Sequence, residues 1–191
     1  MKKYDIEEIK KQKGAHNLDD RDPDFQEKLK RLPSVGFKND KDYQAGKLYA
    51  WQHASLSKAN SKEPLTAENA KNFVALNIDH LHGKYGWYWP DKFEIIERPE
   101  GHCPAAAFAL NEETGLIENT YLLLPPHGRT ESLLMHEMCH IFAGPEKLHG
   151  PEYAGYLMYG MAYGLAMNRM MLGFYEVTAE RYGVEWKYPE S

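Results

Sequence analysis

The stretch His136-Glu137-Met138-Cys139-His140 constrains this chain more than any other. Residues four apart on a helix share a face, so imidazoles at this spacing can both reach one metal ion. Glu137 follows the first of them. Its carboxylate is placed to take a proton from a water held at the same ion, which is the HExxH arrangement of hydrolytic zinc sites. Leu134, Met138 and Ile141 form an apolar stripe on the side away from the histidines, so the helix can be anchored in a core while its other face holds metal. Thr130 is a suitable N-cap with Glu131 in the first turn, and Ala143-Gly144-Pro145 is a helix stop.

A catalytic zinc site takes three protein ligands and keeps one position open for water. His149 supplies the third: it lies nine positions after His140, beyond a turn long enough to fold it back, and Gly150-Pro151 then starts a new helix. The bland alternative is a chance pattern of surface histidines on an ordinary helix. The coincidence of helix signals, Glu137 and His149 argues against it.

His136-Glu137-Met138-Cys139-His140 followed by His149-Gly150-Pro151-Glu152-Tyr153 resembles the SprT-like (Spartan-type) zinc metalloproteases, where HExxH precedes a third His in an HGPEF-type motif. The gap from Ile141 to Leu148 is shorter than is usual there. In this it is similar to a group of small bacterial and phage metallohydrolases without an established substrate. The resemblance extends upstream to Lys41-Asp42-Tyr43-Gln44 and Leu48-Tyr49-Ala50-Trp51, through Leu122-Leu123-Leu124-Pro125-Pro126, and down to Arg181-Tyr182-Gly183-Val184. It covers roughly residues 40 to 186, and the zinc motifs are its specific part. No CxxC pair is present, so the separate zinc module of some SprT proteins is missing.

The 191 residues are enough for one domain with a real core and an extension. Net charge is -5, whereas a protein that clamps phosphate backbones is usually basic, so direct nucleic-acid binding is not suggested. No run approaches the ~18 apolar residues of a membrane helix. Met1-Lys2-Lys3-Tyr4-Asp5 leads into charge, which predicts no signal peptide. Cys103 and Cys139 do not make a disulfide framework, and a cytoplasmic, reduced setting fits best.

Residues 1–36 are highly charged and read as an arm with two short helices, distinct from a domain over 37–191. Within the domain, a helix is expected over Asn39 to Leu56, capped by Asn39 or Asp40, and a second over Ala67 to Leu81 with Thr66 as cap and Gly83 as stop. His80 and His82 face different ways at its end and read as surface residues. Gly86 to Pro90 is an aromatic turn. Strands are expected over Phe93 to Glu97, Ala105 to Leu110 and Leu116 to Leu124. Ala105, Ala106 and Ala107 would let a substrate strand approach the sheet edge, or would pack tightly under a helix. A helix from Pro151 to about Tyr163 follows, in which Gly155, Gly160 and Gly164 hint at close packing and Glu152 favours the helix dipole. The last helix, Met167 to Tyr182, turns Met170, Met171, Phe174 and Val177 inward. Val184 to Trp186 is a closing strand.

The expected architecture is α+β and zincin-like, with helices packed around a small three- to four-stranded sheet. Zn²⁺ on His136, His140 and His149, with Glu137 as base, points to hydrolysis of a protein or peptide substrate. The oxyanion stabiliser stays open among Tyr153, Tyr156 and Tyr159. Cys139 reads as a small buried residue. Two rivals remain: a binding protein that keeps zinc for stability alone, and a zinc amidase or deacylase.

Overall fold

The computed structural model describes Asp42 and residues 44–56, 63–111, 113–165 and 168–189. The expected arm over residues 1–36, the boundary at residue 37, the caps Asn39 and Asp40, and most of the loop after Leu56 lie outside the described residues. Among those described are five α-helices and one three-stranded mixed sheet: α1 (Ala45–Ser55), α2 (Ala67–Tyr85), β1 (Phe93–Glu97), β2 (Ala105–Leu110), β3 (Ile117–Leu124), α3 (Glu131–Ala143), α4 (Pro151–Tyr159) and α5 (Met170–Arg181).

The sheet order is β1-β3-β2, with β3 parallel to β1 and antiparallel to β2. Side chains alternate across a strand. Leu122 and Leu124 of β3 therefore join the main core with the helices, while Tyr121 and Leu123 pack on the other face with Ile96 and Ala109. A strand covered on both faces reads as an unbroken apolar run, which is why Tyr121-Leu122-Leu123-Leu124 shows no alternation. The hairpin turn before β3 closes on Asn111, whose side-chain oxygen accepts from the N–H groups of Glu113 and Thr114.

The Thr130 hydroxyl accepts from Leu133 N–H and caps α3, and Gly144 N–H closes the helix on His140 O. The expected stripe Leu134, Met138 and Ile141 is fully buried, but so are Met135 and Cys139, and Phe142 nearly so. The helix is enclosed almost all round and sits at the centre of the fold. Helix α4 continues into a π-helical turn over Gly160–Leu165, where a regular helix to about Tyr163 was expected. A Cβ on Gly160 would lie 2.7 Å from Met135 Sδ, and one on Gly164 2.3 Å from Met135 Cε, so a side chain at either position would have to displace Met135 where this segment approaches α3.

Four expectations need correction. Helix α1 starts at Ala45 behind Gln44, six residues later than expected at its N-terminal end. Helix α2 runs through Gly83 and ends at Gly86, which takes φ 70; Gly83 has open space around it and no such conformational demand. Helix α5 buries Tyr175 and Ala179, while Met170, Phe174 and Val177 are exposed. Its inward face is fixed by Trp51 of α1, whose indole N–H donates to Thr178 Oγ1 at 3.0 Å and whose ring meets Tyr175 edge-on. Val184 to Trp186 forms no strand; the segment runs along α4, with Lys187 N–H donating to Pro151 O. A Cβ on Gly155 would lie 1.7 Å from Lys187 O, so only glycine admits that passage.

Candidate metal centre

His136 and His140 project from α3 toward the loop between α3 and α4. There Leu148 adopts φ 43, the only described non-glycine residue with positive φ, and turns the chain so that His149 faces back. The ligand-capable atoms of His136, His140 and His149 all lie within 4.8 Å of one another. His136 and His149 are buried; His140 is partly exposed, and its ring stacks on Tyr153 at 4.1 Å.

Two residues from the N-terminal side settle which nitrogens are bare. Asp42 Oδ1 lies 2.7 Å from His149 Nδ1. Gln52 Oε1 lies 2.9 Å from His136 Nδ1. Both oxygens can only accept, so each Nδ1 carries the proton and each Nε2 presents a lone pair. These two Nε2 atoms stand 3.4 Å apart. Two acceptors at that distance have nothing to exchange unless a cation joins them. The separation matches the edge of a tetrahedron with arms of about 2.0–2.1 Å, the length of a zinc–imidazole bond. Three buried or partly buried imidazoles are thus close enough to bind a metal ion, and the donor set fits one. Burial, reinforced by the neighbouring imidazoles, holds His136 and His140 well below the usual histidine range.

Glu137 is buried beside this cluster, and its Oε2 accepts from Ala106 N–H of β2 at 2.9 Å. Burial pushes its carboxyl up to about 7, against the Ala106 hydrogen bond and the positive charge of Arg98. Arg98 is itself buried and donates to Cys103 O at 2.8 Å and to His102 Nδ1 at 3.1 Å, so it fixes the loop that leads into β2. Of the three alanines, Ala105 and Ala107 pack on the sheet face away from the helices, with Tyr121 and Leu123, and Ala106 is tied to α3 through its N–H.

Gln44 ties His149 in place: its Nε2 donates to His149 O at 2.9 Å and to Glu185 O at 3.0 Å, and its Oε1 accepts from Glu185 N–H at 2.8 Å. Tyr153 donates to His136 O at 3.1 Å and is fully buried. It positions two histidines and does not face the open side. Tyr156 lies in the core against Trp87, and Tyr159 meets Tyr163 at a tilt and Tyr188 edge-on. None of the three tyrosines singled out from the sequence offers its hydroxyl to the imidazole nitrogens. The tyrosine that does is Tyr49 of α1, 3.1 Å from His149 Nε2 and stacked on His136. Cys139 donates to Tyr156 O at 3.4 Å, buried on the far side of α3, as its reading as a packing residue requires. Glu152 pairs with Lys187 at 2.9 Å at the surface and orients no ligand. His80 and His82 engage Tyr85 and Trp87 O, outside the cluster.

Asp42, Tyr49 and Gln52 were not identifiable as site residues from spacing. For Asp42 and Tyr49 the one signal was that the segments 41–44 and 48–51 took part in the resemblance; Gln52 lies just beyond the second and had none. Compared with known protein families, with curated proteins and with solved structures, the chain matches none. Among the described residues no helix is long and apolar enough to cross a membrane.

Proposed function

We propose that this chain is a zinc-dependent metallopeptidase with a zincin-like, SprT-like domain. The observation that carries the reading is the pair of bare Nε2 atoms 3.4 Å apart with the Glu137 carboxylate held beside them. His136, His140 and His149 would hold the zinc, which when bound acidifies water toward ~7 and polarises a carbonyl.

The remaining steps belong to Glu137. It takes a proton from the attacking water as the water oxygen bonds to the carbonyl carbon. It gives that proton to the amide nitrogen as the C–N bond breaks. Burial favours the protonated form of this carboxyl, which suits a group that must take up a proton and hand it on. The Ala106 N–H engages one carboxylate oxygen and leaves the other for the water. Among the described residues β2 lies at the edge of the sheet, and Glu137 lies against it. An extended peptide added along that edge would have its backbone next to the base, which favours a peptide over a small amide as substrate.

Glu137→Gln tests this. It keeps size and removes the base. Zinc content and fold should persist while turnover of an extended peptide pool falls by roughly 10²-fold or more. Equal, non-zero turnover by both proteins would eliminate Glu137 as the base. No turnover by the wild-type protein, with a fourth protein ligand on the zinc, would favour a stabilising metal instead.

A further inference from the structure

Tyr49 is 49% exposed, yet its ring lies flat on His136, with centroids 5.3 Å apart and planes 18° apart. Its hydroxyl is 3.1 Å from His149 Nε2. That nitrogen is the one His149 must offer to a metal, because its Nδ1–H is engaged by Asp42. An imidazole that donates at Nδ1 can only accept at Nε2, so the phenol is the donor in this pair. A metal ion on His149 takes the same lone pair and leaves the phenolic hydrogen without its acceptor. The ring keeps its place, since α1 is fixed by Leu48 and Trp51, both fully buried, and by the stack on His136. A neutral O–H donor is then set at the exposed mouth of the site, where a substrate carbonyl would enter.

We infer that Tyr49 guards His149 Nε2 in the metal-free site and, once metal is bound, donates its hydrogen bond to the scissile carbonyl oxygen as negative charge builds there. The second half rests on the peptidase reading; the first does not. A preorganised donor aimed at a developing oxyanion acts by stabilising the transition state more than the bound substrate.

Tyr49→Phe in the full chain keeps the ring and its stacking and removes only the hydroxyl. Zinc titration against a chelator should show binding about two- to tenfold tighter than wild type, because one competing hydrogen bond is gone. With equal zinc loaded, kcat on a peptide pool should fall by about 10²–10³-fold with KM little changed. Zinc binding weakened tenfold or more would make Tyr49 a ligand or a ligand support and overturn the guarding role. Unchanged kcat would overturn the donor role. If wild type cleaves no peptide while the variant still binds zinc more tightly, the peptidase reading and the donor role fall together and the guarding role is supported.

Discussion

Helix α3 buries ten of its thirteen residues, His136 and Glu137 among them, whereas α1 buries three of eleven, Leu48, Trp51 and Gln52. Both helices build the same site. α3 supplies two of the three clustered imidazoles and the carboxylate. α1 and its leading residues supply what sits behind or above them: Asp42 and Gln52 on the Nδ1 atoms, Gln44 on the His149 carbonyl, Tyr49 on the open side. The difference shows how the work is divided. A helix enclosed on all sides fixes ligand positions rigidly, because each of its side chains is packed. A half-exposed helix can hold hydrogen-bond partners on one face and still present a group to solvent on another. The tautomers of His136 and His149 are thereby set by a different part of the chain from the one that carries them.

This contrast can be broken at several points, and the largest effect is expected in α3. Met138 is fully buried, and Met138→Ala should cost about 2–5 kcal/mol in denaturant unfolding of the metal-free protein. A loss well under that range would mean that the helix is less tightly enclosed than its burial indicates. On the α1 side the effect should fall on metal rather than on fold. Asp42→Ala and Gln52→Ala each leave an Nδ1–H without its acceptor, and each should weaken zinc binding by about 10–100-fold in chelator competition. Unchanged zinc affinity in both variants would separate these residues from the site. The smallest effect is expected on α5, where Phe174 is 49% exposed: Phe174→Ala should alter stability by no more than about 0.5 kcal/mol. A large loss there would restore the inward face that the residue pattern suggested.

What could be read ahead of the structure follows the same division. His136, Glu137 and His140 are fixed to one another by a single helix, and helical geometry alone says which side chains meet. His149 follows within one turn of chain, so Thr130, Gly144 and Pro151 were enough to place the element boundaries around it. The three strands were legible because β-rich runs were separated by Gly, Pro and Asn turns, and their spans differ by one residue at most. Asp42 and Gln52 lie 107 and 84 residues from their histidines, and no periodicity reports a contact at that distance. The inward face of α5 was misread for a related reason. Met170, Phe174 and Val177 repeat with helical spacing, but Trp51 selects the neighbouring face through Thr178, a polar residue that an apolar pattern passes over. Gly83 suits a helix stop in sequence, and only the backbone shows that Gly86 is the one that takes positive φ.

The claim on which all of this rests is that one metal ion is shared by His136, His140 and His149. Metal analysis of the purified protein joined to X-ray absorption at the zinc edge tests it directly. The expected result is one zinc per chain with three imidazole nitrogens at about 2.0–2.1 Å, and loss of one of them, with much weaker binding, in His149→Ala. Zinc bound with unchanged affinity and an unchanged ligand shell in His149→Ala would contradict the assignment.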